Sequence, residues 1–219
     1  MMCVPRLLVT LLASLLLAGG AAAQNRGLNF DLLVAARNGS EASVRALLEQ
    51  GANPDSRNRN GDTPLNLAAR SGNLALLKLL LERGADVNLV NLARVSPLMS
   101  AAFGGHVEAV RVLLSARADL SLTDRVQKTA MVYAAANGHT ECVQVLLDAG
   151  VDVNGRYAND LTALMWASSY GHLATVKLLL ARGADAAPRD NRGKTALALA
   201  LEENREPVIA ALRQAGAAQ

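Results

Sequence analysis

Apolar and small residues recur along this chain every 33 positions, a spacing that belongs to a repeated unit and not to a single helix or strand. Thr63, Ser96, Thr129, Thr162 and Thr195 keep that step, and Phe30 extends it backwards. Nine residues after each comes Gly39, Gly72, Gly105, Gly138, Gly171 and lastly Asn204. Leucine pairs hold the same register at Leu47-Leu48, Leu80-Leu81, Leu113-Leu114, Leu146-Leu147 and Leu179-Leu180. So do the small pairs Ala35-Ala36, Ala68-Ala69, Ala101-Ala102 and Ala134-Ala135. Six units follow, starting near residues 25, 58, 91, 124, 157 and 190.

Within a unit the pattern predicts two short helices. Thr63 and Ser96 suit an N-cap, because the hydroxyl accepts from free amides of the first turn, and Pro64 and Pro97 fit the first helical position, where no N–H is needed. The alanine pair gives this helix a small face for close approach. The recurring glycine ends it in a left-handed conformation. A second helix, for example from about Asn73 to Arg83, carries Leu74, Leu77, Leu80 and Leu81 at helical spacing and stops at Gly84. No unit has enough apolar face to fold alone, so stacking must bury the leucine and alanine rows. The expectation is an all-α solenoid of helix–turn–helix units joined by short hairpin-like turns.

The segments TPLNLAARSGN…LLLERGADVN, SPLMSAAFGGHVEAVRVLL and TALMWASSYGHLATVKLLLARGAD resemble the ankyrin repeat, over residues 30 to about 217. The end units depart from it as caps do. Asp31 stands for the proline in the first; in the last, Asn204 replaces glycine, Pro207 opens the second helix and Arg213 replaces a leucine. The histidine usual in the family after T-P-L is absent: Asn66, Met99, Val132, Met165 and Ala198 stand there. A bond that often ties neighbouring units is therefore expected to be missing. Arg117 occupies a slot where the second helix normally ends in glycine; a left-handed arginine costs roughly 1 kcal/mol, which makes the third unit the expected loose joint.

Residues 1–23 read as a signal peptide: Arg6 supplies a positive charge, Leu7 to Ala18 an apolar run, and Ala21-Ala22-Ala23 a cleavage site after Ala23. The competing membrane anchor is disfavoured, because Leu7 to Ala23 is 17 residues with internal glycines and a span needs about 20. Cys3 lies ahead of the apolar run, unlike a lipoprotein cysteine. Residues 24–29 form a short N-terminal segment before the array at 30–217. Losing Arg6 lowers the net charge from +3 to +2, too balanced to argue for nucleic acid or an anionic membrane. Cys142 alone remains, so no internal disulfide is available and the thiol reads as a small buried hydrophobe.

Candidate chemistry dissolves into the period. His106, His139 and His172 occur one per unit, just after the glycine. Helices of stacked units lie about 8–10 Å apart, whereas zinc ligands lie about 2 Å from the metal, so these rings are expected to bond backbone across unit junctions. Cys142 shares its slot with Leu77, Ala109 and Thr175, and His139 three residues before it is a coincidence of register. Asp86, Asp119, Asp152 and Asp185 track the period as turn residues. There is no phosphate loop and no C-x-x-C, so neither enzyme, metal nor cofactor is expected.

The ankyrin resemblance implies a concave, partner-binding face made of turn tips and first helices. Its variable positions map here onto tips such as Arg59, Asn60 and Asp62 in the second unit, and onto Arg70 and Ser71 in its first helix. At the middle of that strip fall Leu92, Val95, Phe103, Arg125, Val126, Lys128, Leu161 and Tyr170, apolar and aromatic groups ringed by charge, while its ends read as polar. Tyr133 and Trp166, one position deeper, read mostly as core. Arg94, Gln127 and Asp160 replace the tip glycines kept at Gly61 and Gly193, which predicts altered middle tips. The expected role is a monomeric, non-enzymatic adaptor or scaffold for another protein in the periplasm. The alternative is an effector or structural protein secreted from the cell. Resemblance to exported bacterial ankyrin proteins adds a weaker one, an accessory to an oxidative-stress enzyme such as a catalase.

Overall fold

A computed structural model describes residues 25–217. The expected signal peptide at 1–23, Cys3 within it, and Gln24 lie outside the described residues. The regular structure among the described residues is helical: twelve α-helices, one 3-10 turn at Ala158–Asp160 and an isolated antiparallel bridge between Arg156 and Thr162. None of those helices is long and apolar enough to cross a membrane.

Helix α1 covers residues 25–37, so residues 25–29 join the first helix, and α2 is Glu41–Glu49. The next units are α3 (Pro64–Ser71) with α4 (Leu74–Glu82), and α5 (Pro97–Phe103) with α6 (Val107–Ser115). Then come α7 (Ala130–Ala136) with α8 (Thr140–Asp148), α9 (Ala163–Ser169) with α10 (Leu173–Ala181), and α11 (Ala196–Glu202) with α12 (Glu206–Gln214). First helices pack on first helices, α3 on α5, α5 on α7, α7 on α9 and α9 on α11; second helices form a parallel row from α2 to α12. The core is continuous along this double row. Leu65, Leu98, Met131, Leu164 and Leu197 fill its first-helix side, and Leu80, Leu113, Leu146, Leu179 and Leu212 its second-helix side, all buried.

The predicted caps form. Thr63, Ser96, Thr129, Thr162 and Thr195 each accept from the amide three residues on, at 3.1, 3.2, 3.5, 3.3 and 3.2 Å. The slot vacated by the missing histidine is filled in two ways. Asn66 bonds back to Thr63 and its Nδ2 donates to the Val95 carbonyl of the next unit at 3.5 Å, so one inter-unit tie survives where none was expected. Met99, Val132 and Met165 are buried there, exchanging a polar tie for apolar packing.

Arg117 adopts φ 65°, and the carbonyl-closing bonds match those of a glycine end: Arg117 to Leu114 at 2.9 Å and Ala118 to Leu113 at 3.0 Å. The helix end is therefore kept and the strain falls on the arginine Cβ. Arg117→Gly is expected to raise the stability to urea by about 1 kcal/mol. An unchanged or lowered unfolding midpoint would show that the arginine is not strained there.

Candidate binding surface

Between consecutive units the chain makes a finger. At its root an Asx side chain (Asn58, Asn91, Asp124 or Asp190) accepts from the amides two and four residues on, at 2.8–2.9 Å. These bonds fold the finger against itself. Arg94 and Gln127 take φ 63° and 62°, close to Gly61 and Gly193 at 76° and 78°, and keep the same closing bonds, so their tips are not altered as predicted. The fourth finger alone departs. Tyr157 occupies the Asx slot and cannot bond in that way, and both Asn159 and Asp160 turn to φ 60° around the 3-10 turn. Backbone bonds join neighbouring fingers from Leu92 to Asn60, Arg125 to Ala93 and Asn191 to Asn159.

The residues of the strip expected between Leu92 and Tyr170 differ in exposure. Leu92, Phe103, Val126 and Tyr170 are each more than half exposed, and Arg125 is exposed beside them. Val95 and Leu161 are half-buried and pack onto the core, so they support the strip and are not its exposed apolar surface. Lys128 is no free rim charge. Its Nζ lies 4.8 Å from the centre of the Trp166 ring and 5.9 Å from that of Tyr133, a cation held between two π faces.

Tyr133 and Trp166 are half-buried and pack against the core, as expected, and their rings also contact the exposed Phe103 and Tyr170. Phe103 meets Tyr133 edge to face at 5.8 Å, Trp166 stacks on Tyr170 at 6.1 Å, and Tyr170 stacks on His172 at 6.3 Å. With Lys128 as the bridge, four aromatic rings from three units run as one file. The Tyr133 hydroxyl donates to Asp124 Oδ2 at 2.6 Å, and its pKa is pushed far above the usual phenol range by burial, then by that hydrogen bond and the charge of Asp124. The Trp166 Nε1 is buried and has no hydrogen-bond partner. A groove of about 440 Å³ opens beside this end of the file, bordered by Leu161, Trp166, Tyr170, Asp190 and Arg192. The one sequence signal for Tyr133 and Trp166 is that their row otherwise holds Val34, Leu67, Ser100 and Leu199. At the first end of the strip Arg59, Asn60, Arg70 and Ser71 are exposed, and outside the strip Phe30 and Val34 are exposed on α1.

The remaining candidate chemistry sits where the register placed it. His106, His139 and His172 bring Nε2 to the carbonyls of Arg70, Phe103 and Ala136 in the preceding unit, at 3.0, 2.9 and 2.9 Å. A carbonyl only accepts, so each ring carries its proton on Nε2. Asp86, Asp119, Asp152 and Asp185 each accept from the amide two residues on, closing turns. Cys142 is fully buried in α8. Burial pushes its thiol up to about 11, the Glu141 charge adds to this and Arg111 opposes it. A buried, protonated thiol is a poor nucleophile. Alkylation of folded protein by iodoacetamide at neutral pH is expected to be about a hundredfold slower than in urea. Equal rates in the two states would contradict this burial.

The family model described as ankyrin repeats (3 copies) matches the chain at residues 8–91, 90–157 and 155–219. A search of curated proteins finds no match to it. Repeats of this kind generally serve as protein-interaction modules and typically carry no catalysis.

Proposed function

The chain belongs to the ankyrin-repeat family, and from that premise we propose that it is a non-catalytic adaptor gripping another protein at the centre of its concave face. The aromatic file from Phe103 to Tyr170 is the observation that carries this reading. Rigid aromatic rings lose little side-chain entropy on contact, and water is cheaply displaced from the exposed faces of Phe103 and Tyr170. Leu92 and Val126 extend the apolar area along the finger tips, while Arg125 and Arg192 supply a polar rim. The groove next to Trp166 and Tyr170 offers a recess for one anchoring side chain of the partner. Lys128 turns the polar end of its side chain towards rings instead of solvent, which keeps the middle of the strip from being strongly hydrated.

The export segment expected at residues 1–23 puts this adaptor in the periplasm, acting as a monomer with no membrane attachment after cleavage. The same export permits release from the cell as an effector, and fractionation separates the two. Retention in the periplasmic fraction supports the adaptor; accumulation in the medium supports the effector.

Capture of partners from periplasmic extract by the wild type and by Phe103→Ala with Tyr170→Ala tests the surface. Both side chains are mostly outside the core, so the melting temperature should stay nearly constant. Loss of two central aromatic contacts is expected to weaken capture roughly 10- to 100-fold. Undiminished capture by the double variant would sink the assignment of the surface.

A further inference from the structure

A second groove, of about 770 Å³, opens at the first unit between α1 and the root of the first finger, and none of its lining residues belongs to the aromatic file. In later units the residue at the Phe30 position is a Thr or Ser that caps a helix beneath its own finger and is buried. Among the described residues no finger precedes α1; Phe30 is 65% exposed and Val34, four residues on along the same helix face, is 42% exposed. Arg26, Arg37, Arg57 and Arg59 also line the groove, and no carboxylate does.

Like Arg94, Arg117, Arg125 and Arg213, those arginines have no carboxylate within ion-pair distance among the described residues, whereas Arg45, Arg70, Arg83, Arg111, Arg156, Arg182, Arg192 and Arg205 do. Of the acids close in sequence to the lining residues, Asp31 is exposed on α1, and Asp55 and Asp62 are engaged. Asp55 accepts from the Asp86 amide at 2.9 Å, and Asp62 accepts from Asn91 Nδ2 at 2.7 Å and faces Arg70 at 3.6 Å. Arg57 spends one donor on the Val90 carbonyl and keeps the rest of its fork. At the lining sits Ser56, only 8% exposed, whose Oγ is buried and has no hydrogen-bond partner. A buried hydroxyl without a partner is costly, about 1–3 kcal/mol, unless something supplies one.

We propose that this groove is a second binding site, taking a partner segment that carries a carboxylate next to an apolar side chain. The planar guanidinium forks match a carboxylate in two-point contact. Phe30 and Val34 cover the neighbouring apolar group, and the Ser56 hydroxyl completes the polar contacts. Charge argues against the chain's own N-terminal segment as the occupant, because residues 1–24 hold no Asp or Glu and add a further arginine.

Fluorescence anisotropy of the full chain with a fluorescein-labelled peptide of alternating leucine and glutamate tests the site. The comparison peptide replaces each glutamate with glutamine. Saturable binding is expected, weakened about tenfold or more by the glutamine peptide, by Arg37→Glu with Arg59→Glu, and by raised salt. Phe30→Ala should weaken it as well. Phe103→Ala with Tyr170→Ala should leave it unchanged, which separates this groove from the central file. No binding, equal binding of both peptides, or indifference to the charge reversal would overturn the proposal. So would a dimer of the chain that the charge reversal dissolves, since the occupant would then be a second copy. Circular dichroism confirms that the exposed substitutions leave the helices folded.

Discussion

Where the first helix of a unit ends, a left-handed glycine leaves the space of a missing Cβ, and the next unit's histidine ring occupies it. A Cβ on Gly72, Gly105 or Gly138 would lie 2.5–2.6 Å from the ring of His106, His139 or His172. The same ring reaches a carbonyl near the end of the helix just crossed, so one contact closes a helix end and docks two units. At the array's ends other side chains do this work. Arg205 crosses Gly171 to the Ser169 carbonyl, and Asn73 reaches the Gly39 carbonyl. Since no unit buries its own apolar face, the stack depends on this interlock repeating at every junction.

That dependence decides which residues are left for function. The histidines are committed to carbonyls, the periodic aspartates to turns and Cys142 to the second-helix core, so the groups with catalytic potential are spent on architecture. Positions whose identity the stack does not dictate lie on the tips and on the outer side of the first helices. There the chain places Phe103, Tyr133, Trp166 and Tyr170, four of its six aromatics, although the solenoid would stand with smaller residues, as Ser100 and Leu67 show in the Tyr133 row.

The helix caps and the fates of His, Cys and Asp were legible because each is a local rule repeated at fixed spacing. What was not legible depends on a neighbour one unit away. Arg94 and Gln127 occupy a glycine slot, yet an Asx residue at the finger root supplies enough hydrogen bonds to hold them at positive φ. The informative residue was Tyr157, which lacks that acceptor and marks the one finger that changes shape. Tyr133 and Trp166 pack against the core as their register implied, but the Lys128 side chain reaching both rings joins two units and was not legible in either. Phe30 carried no warning in its own unit, yet it is exposed where the later units bury a Thr or Ser.

A solenoid has no reason to present one uniform face, and this one does not. The groove at the first unit is lined by Arg26, Arg37, Arg57 and Arg59 beside Phe30 and Val34, and the middle is aromatic with Lys128 held between rings. In the last finger Arg192 is paired with Asp190 and Lys194 with Glu202. Those charges are engaged within the last unit, whereas the arginines lining the first groove have no ion pair among the described residues. A partner lying along the face would therefore be oriented by charge at the first unit and held by ring contacts in the middle. Orientation and grip would then reside in different units, so each could change by substitution without disturbing the packing of the other.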